Sequence, residues 1–214
     1  VAKVGEAAKQ SDVVVVCVGD TLSEHGEFKD RSSLALTGNQ IALLETVRAS
    51  GTPFAVVLIA SKPLELAWVK EHANGLVCAF NPGAKGGTAV AECLFGDYNP
   101  SGKLTISFPY HAGQLPVYYN RYAGWHSTRN SSLKGQERYI DLPAEPVFAF
   151  GQGMGYAPVS YLGLDLESDD LRSGEALLAK VRIRNDGDRK ATEIVQLYIN
   201  DVYSAVTTPE KSLR

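Results

Sequence analysis

Residues 12–18 have the sequence Asp12-Val13-Val14-Val15-Val16-Cys17-Val18, an almost unbroken run of β-branched side chains. Such residues are enriched in strands. A continuous apolar run without alternation is typical of a strand that is buried on both faces, as in parallel sheets flanked by helices. The run therefore predicts a buried strand of an α/β sheet.

The next helix has signals at both ends. Thr37-Gly38-Asn39-Gln40 fits a capping box, in which Thr37 bonds forward and Gln40 reaches back. Gly51 stands where a C-terminal cap belongs. Between these signals the apolar face of the helix comprises Ile41, Leu44 and Val47.

Strand and helix patterns alternate over the first hundred residues. Strands are predicted at Phe54–Ile59 and Gly75–Phe80, and helices at Val1–Gln10, Leu64–His72 and Thr88–Phe95, the last closed by Gly96. This alternation indicates an α/β fold with a mostly parallel sheet sandwiched by helices.

The pattern changes after this region. Prolines and aromatic residues crowd residues 97–156, and loops of this length are usually functional when they are ordered. From Leu177 to Arg184 the apolar period becomes two, Asn185-Asp186-Gly187 predicts a turn, and Ile194–Ile199 predicts another strand. We therefore expect an incomplete α/β sandwich over residues 1–157, followed by a partial antiparallel β-sandwich over residues 158–214.

The composition excludes several classes of protein. A net charge of −3 gives no electrostatic reason to expect a nucleic acid or an anionic membrane as partner. No apolar run approaches the roughly 20 residues of a membrane-spanning helix. Cys17, Cys78 and Cys93 have neither a disulfide pattern nor metal-ligand spacing, and we expect them to be small buried hydrophobic residues. No metal is therefore predicted.

Candidate functional residues lie in the loop after the valine run. The segment His25-Gly26-Glu27-Phe28-Lys29-Asp30-Arg31 follows the carboxyl end of a predicted strand, where open α/β sheets bind their ligands. Glu27 is the candidate carboxylate of this segment, and Glu24 and Asp20 are alternatives that precede it in the same loop. His25 either orients Glu27 or lies in solvent, and we expect Arg31 to pair with Asp30 or to turn away from Glu27.

Six segments together resemble glycoside hydrolase family 3, in particular its β-glucosidase-like members. The run from Leu94 to Leu104 is the most specific of them. The segments are Gly26–Arg31, Ser33–Gln40, Pro82–Gly87, Leu94–Leu104, Ser107–Pro109 and Pro146–Tyr156. The residues after Pro158 resemble the fibronectin type III-like domain that many members carry.

The resemblance implies a function and a division of labour. Family members are retaining β-glycosidases that cleave terminal β-linked sugars of oligosaccharides or aryl and alkyl β-glycosides without a cofactor. Glu27 would be the general acid/base, with Glu24 as its rival, while the nucleophilic aspartate would lie on a partner (β/α)8 barrel that this chain lacks. His25, Arg138 and Tyr139 are weaker candidates for substrate contacts. Asn99 and Lys103 are expected to hold their loop in place.

Two alternatives stay open at this point. The chain could be a non-catalytic carbohydrate-binding or scaffold module, or a nucleotide- or CoA-binding domain. The turn Pro82–Gly87 precedes a helix, but it fits neither common phosphate-binding glycine pattern. We expect its glycines to allow tight packing of a helix on a strand instead.

Overall fold

The computed structural model describes residues 2–122 and 139–214. The chain divides into two compact units. The first contains the described parts of Val1–Ala91, Leu104–Gln152 and Gln196–Arg214, and the second contains Glu92–Lys103 and Gly153–Val195. In the described ranges no helix is both long and apolar enough to cross a membrane. The predicted division of the chain at residue 157 stays a prediction.

A three-stranded parallel sheet forms the centre of the first unit. Its strands β1 (Val14–Gly19), β2 (Phe54–Ile59) and β3 (Gly75–Cys78) lie in the order β1-β2-β3. Val16 pairs with Val56, and Gly19 pairs with Ile59, so β1 and β2 have their carboxyl ends side by side. The helices are α1 (Ala2–Lys9), α2 (Gln40–Ala49), α3 (Ala67–His72) and α4 (Gly86–Phe95).

The core lies on one face of this sheet. Leu44 and Val47 of α2 are completely buried, which confirms the predicted apolar face of that helix. They belong to one cluster with Val16, Val56 and Leu58 of the sheet. Since burying each such side chain stabilises the fold by about 1.5–3 kcal/mol, this cluster holds the helices on the strands.

Within this chain the valine run is covered on one face only, which differs from the predicted burial on both faces. Val16 and Val18 point into the core, whereas Val13 and Val15 are 60% and 46% exposed and Cys17 is exposed as well. The reason is that β1 is an edge strand, and its side chains alternate between a covered and an uncovered face. In the central strand β2, by contrast, Val56 and Val57 are both buried.

The beginning of α2 also differs from the predicted capping box. The helix begins at Gln40, and its N-cap Asn39 makes no side-chain capping bond. Gln40 does reach back, since its Nε2 donates to Thr37 O at 3.1 Å and to Thr37 Oγ1 at 3.3 Å. The same amide also pairs with the last residue of β1: Gly19 N–H donates to Oε1 at 2.7 Å, and Nε2 donates to Gly19 O at 2.9 Å. The open edge peptide of β1 competes for this amide because buried backbone groups require partners. At the other end Gly51, with φ of +79°, caps the helix as predicted.

Other element ends shift by a few residues. Helix α3 begins at Ala67, and Leu64 and Leu66 are buried in the irregular segment before it. Strand β3 ends at Cys78, two residues before Phe80 adopts a φ of +50°. Helix α4 begins at Gly86, and Gly96 closes it with φ of +80°.

The glycine turn before α4 packs on itself. A Cβ at Gly86 would lie 2.5 Å from Cγ of Pro82, so the turn needs glycine for a local contact. The expected packing of a helix on a strand is therefore not what requires a glycine at this position.

The antiparallel part consists of two small sheets. In the second unit β4 (Val159–Leu166) pairs with β5 (Ala179–Asn185), and in the first unit β6 (Tyr198–Ile199) pairs with β7 (Ser212–Leu213). The alternating segment and the turn at Asn185 are confirmed, since the Asn185 side chain accepts a bond from Gly187 N–H at 2.9 Å. The strand predicted over 194–199 is only Tyr198–Ile199.

The most specific sequence segment has a structural role in the second unit. Asn99 Oδ1 accepts a hydrogen bond from Tyr156 N–H at 2.6 Å, and its Nδ2 donates to Lys190 O at 3.0 Å. Lys103 Nζ donates to Gly153 O at 2.8 Å. These bonds confirm that Asn99 and Lys103 hold their loop in place.

Gly19 provides a test of the strand ends. Its φ is +150°, and a Cβ there would lie 1.7 Å from Ile59 O, a backbone atom that cannot move aside. We expect Gly19→Ala to lower the free energy of unfolding by more than about 2 kcal/mol. The matched control is Gly87→Ala on exposed helix α4, where no atom lies within 4 Å of the new Cβ. It should be neutral or stabilising by up to about 1 kcal/mol. Denaturant unfolding measures both, and equal effects would contradict the assignment.

Candidate active site

The loop that carries the candidate carboxylates starts at the carboxyl end of β1. Asp20 follows Gly19 directly, and Ser61 and Lys62 follow the end of neighbouring β2. Parallel pairing of β1 with β2 brings these three residues together at the carboxyl end of the sheet. This is the position at which open α/β sheets place their ligand sites.

Asp20 anchors the start of the loop. Its side chain is only 1% exposed. It accepts hydrogen bonds from Ser61 N–H at 3.1 and 3.2 Å and from Ser61 Oγ at 2.7 Å. Burial alone would raise the pKa of Asp20, but the bonds from Ser61 and the positive charge of Lys62 outweigh it and lower this pKa. Asp20 is therefore an ionised structural carboxylate.

Two further groups converge on Asp20. Lys62 Nζ lies 3.3 Å from Asp20 Oδ2 and also donates to the backbone oxygen of Glu24 at 3.0 Å. His25 Nδ1 is buried 3.3 Å from Asp20 Oδ1, where it is close enough for a charge contact but not aligned for a hydrogen bond. His25 thus faces Asp20, so it does not lie free in solvent.

The Glu24 carboxylate closes a turn within the loop. It accepts bonds from Thr21 N–H at 2.9 Å and from Thr21 Oγ1 at 3.0 Å. Hydrogen bonding from the Thr37 side chain, together with these bonds from Thr21, holds the pKa of Glu24 below its usual range. A carboxylate that is stabilised in its ionised form is a poor proton donor, which argues against Glu24 as a general acid.

Glu27 is placed quite differently. It is exposed, and among residues 2–122 and 139–214 no group donates a hydrogen bond to its carboxylate. The two nearby cations have other partners, since Lys29 Nζ donates to Leu22 O at 2.6 Å and Arg31 Nη2 donates to Ala35 O at 2.8 Å. Arg31 is thus bonded away from Glu27, as one of the two expectations had it. Unlike Asp20 and Glu24, Glu27 therefore has a carboxylate that is available to a ligand.

The backbone around Glu27 is unusual. Gly26 has φ of +118°, and Phe28 has φ of +62° while its side chain is 94% exposed. The left-handed conformation costs a non-glycine residue about 1–2 kcal/mol. Sequence reasoning did not single out Phe28, and it also missed Ser61 and Lys62. The latter two carry a signal in retrospect, because they follow a strand as Asp20 does.

Of the two remaining candidates, the structure describes only Tyr139. Tyr139 donates through its hydroxyl to Gly113 O at 3.4 Å, a contact outside the loop of Glu27. Arg138 lies outside the described residues. The described ranges contain no group of three or more His, Cys, Asp or Glu side chains that could hold a metal ion.

The fold and this loop define an α/β domain that presents a carboxylate at the carboxyl edge of a parallel sheet. Residues 1–156 match the family model of the glycosyl hydrolase family 3 C-terminal domain. The chain therefore belongs to glycosyl hydrolase family 3, which confirms the resemblance found in the sequence.

Relatives of known activity cover nearly the whole chain. It is 35% identical over 98% of its length to a periplasmic β-glucosidase of Salmonella typhimurium, and 36% identical over 97% to a β-xylosidase of Formosa agariphila. The chain spans 28% of the length of each relative. It thus corresponds to one part of these enzymes.

Solved structures confirm the α/β fold. The β-glucosidase from Listeria innocua in complex with gluconolactone matches 99% of this chain with a TM-score of 0.90 at 33% identity. A β-glucosidase involved in saponin metabolism from intestinal bacteria matches 99% with a TM-score of 0.86 at 36% identity. This chain covers 30% of each of those chains.

The ionised state of Asp20 predicts a pH-dependent stability. Because its pKa is lowered on folding, the carboxylate stabilises the protein above the ordinary aspartate pKa of about 3.9, and this contribution is lost as the pH falls through the lowered value. Asp20→Asn should lower the melting temperature at neutral pH, and its difference from the parent should shrink below about pH 4. Calorimetry over this range measures the effect. Asp12→Asn, at an exposed site, is the control, and a pH-independent difference at Asp20 would refute the assignment.

Proposed function

We propose that this chain supplies the acid/base half of the active site of a retaining β-glycosidase, in first place a β-glucosidase. The observation that carries the proposal is the contrast between two neighbouring carboxylates. Glu24 is engaged in hydrogen bonds within its own loop, whereas Glu27 is exposed beside the anchored edge of the sheet. Because the chain belongs to glycosyl hydrolase family 3, we assign proton transfer to the exposed carboxylate of Glu27.

The reaction requires two carboxyl groups about 5–5.5 Å apart. In the first step a nucleophilic carboxylate attacks the anomeric carbon, and the bond to the leaving oxygen breaks as Glu27 gives that oxygen its proton. In the second step Glu27 takes a proton from water. The oxygen of that water attacks the anomeric carbon and releases the nucleophile, so that the configuration is retained.

We assign the nucleophile to a (β/α)8 barrel in the same polypeptide but outside this chain. Two observations support a larger polypeptide. The relatives are more than three times as long as the matched region, and the apolar side chains of Val13, just before β1, and of Val15, on its outer face, are exposed. Exposed apolar side chains beside an open strand edge are the kind of surface that further protein covers.

The proposed substrates are terminal β-linked sugars of oligosaccharides and aryl or alkyl β-glycosides. The relatives are named as β-glucosidases and β-xylosidases, and structures of the Listeria innocua enzyme are complexes with glucose and, for a mutant, laminaribiose. We place β-glucosides first because relatives from Salmonella typhimurium, Acetivibrio thermocellus and Listeria innocua are named as β-glucosidases.

Replacement of Glu27 tests the assignment. In the complete polypeptide, Glu27→Gln should lower kcat/KM for substrates with poor leaving groups about 10²–10⁴-fold, because no proton reaches the leaving oxygen, while inhibitor binding is retained. Steady-state kinetics on cellobiose measures this loss. The matched control is Glu24→Gln, which removes the neighbouring charge. Near-normal activity of Glu27→Gln would refute the assignment, and sugar binding without turnover in the parent would instead favour a non-catalytic carbohydrate-binding module.

Anion rescue separates the two carboxylates by a second route. Azide can attack the glycosyl-enzyme without a base, so it should restore turnover of an activated aryl β-glucoside by Glu27→Ala and yield the β-glucosyl azide. Product analysis with and without azide measures the rescue. Rescue of Glu24→Ala, but not of Glu27→Ala, would transfer the role to Glu24.

A further inference from the structure

We propose that Asp20, acting with Lys62 and His25, positions the loop that carries Glu27 and so sets the efficiency of proton transfer. This inference rests on the proposed function of Glu27. Asp20 is a positioning residue in this account, because it acts on the loop and touches no reacting atom.

Asp20 belongs to the rigid sheet. It directly follows β1, and its carboxylate is bonded to the backbone and hydroxyl of Ser61, which comes two residues after β2. The Gly19 peptide just before it is bonded on both sides by the Gln40 amide. Asp20 therefore has a fixed position that is defined by two strands and a helix.

Lys62 and His25 connect this fixed point to the loop. The Lys62 ammonium bridges Asp20 Oδ2 and the backbone oxygen of Glu24. The His25 ring places Nδ1 3.3 Å from Asp20 Oδ1. The Glu24 backbone, three positions before Glu27, is thus tied to Asp20 through Lys62, and the His25 ring lies against the same carboxylate.

The loop itself is closed around this attachment. Thr21 and Glu24 bond each other, and Lys29 reaches back with Nζ to Leu22 O. Lys29 N–H also donates to Gly26 O at 3.2 Å. These bonds close the loop on itself, so we expect a change at its attachment to displace Glu27. A displacement of about 1 Å of a catalytic group can cost a factor of roughly 100 in rate.

Burial of the Asp20 carboxylate is unfavourable unless well-placed partners compensate for its removal from water. Asp20 has such partners, and all of them lead either to the sheet or to the loop. The polar groups near it are the Lys62 ammonium, the His25 ring and, through the shared loop, the Glu24 carboxylate. A network of this kind specifies one arrangement of the loop.

The experiment compares two leaving groups in the complete polypeptide. Lys62→Met and Asp20→Asn are measured for kcat/KM on an aryl β-glucoside with an activated leaving group and on one with a poor leaving group. Only the poor leaving group needs a proton from Glu27. We expect a loss of about 10–100-fold for the poor leaving group and less than about 3-fold for the activated one. Lys62→Arg keeps the cation and should recover most of the activity.

Controls keep the outcome decisive if Asp20→Asn fails to fold. Lys85→Met changes an exposed lysine outside the site and should leave both substrates unaffected. Equal losses on both substrates for a folded Lys62→Met would overturn the positioning role, as would no loss on either. If Glu27→Gln shows the leaving-group dependence and Lys62→Met does not, the positioning role alone fails. If Glu27→Gln itself lacks this dependence, the proposed function fails with it.

Discussion

The parallel pairing of β1 with β2 is the constraint on which the site depends. Because of this pairing both strands end at the carboxyl end of the sheet, with Gly19 opposite Ile59. The Ile59 backbone leaves no room for a side chain at position 19. The chain can then bring Asp20 and Ser61 together although they are 41 positions apart in the sequence. The strands are held in turn by the apolar contact of α2 with the sheet. The core thus determines where the polar loop begins.

The two glutamates of this loop have different environments because they lie at different distances along the chain from its attachment to the sheet. Glu24 lies near the anchored end, where backbone and hydroxyl donors surround it and stabilise its charge. Glu27 lies beyond Gly26, where the backbone turns outward and the carboxylate faces solvent. Chemical identity does not distinguish these residues, because both are glutamates. The hydrogen-bond donors that the fold brings near each one do.

Sequence patterns predicted the parallel strands and the apolar face of α2 well, since burial and periodicity are local properties. They failed where long-range partners compete. The Gln40 amide reaches back to Thr37, but it also bonds both backbone groups of Gly19, which lies 21 positions away in the sequence. Within this chain the valine run is not buried on both faces, because strand order, which places β1 at an edge, is not a property of the run itself.

The sequence by itself determined the α/β fold, the family and the loop that carries Glu27, because these depend on residue types at fixed spacings. Only the tertiary structure decided which carboxylate is engaged, which is exposed, and that Asp20, Lys62 and His25 share one anchoring cluster. The physical reason is that hydrogen bonds and ion pairs act over about 3 Å. Residues whose atoms lie this close in space can be dozens of positions apart in the chain, and only the packed sheet brings them within hydrogen-bonding distance.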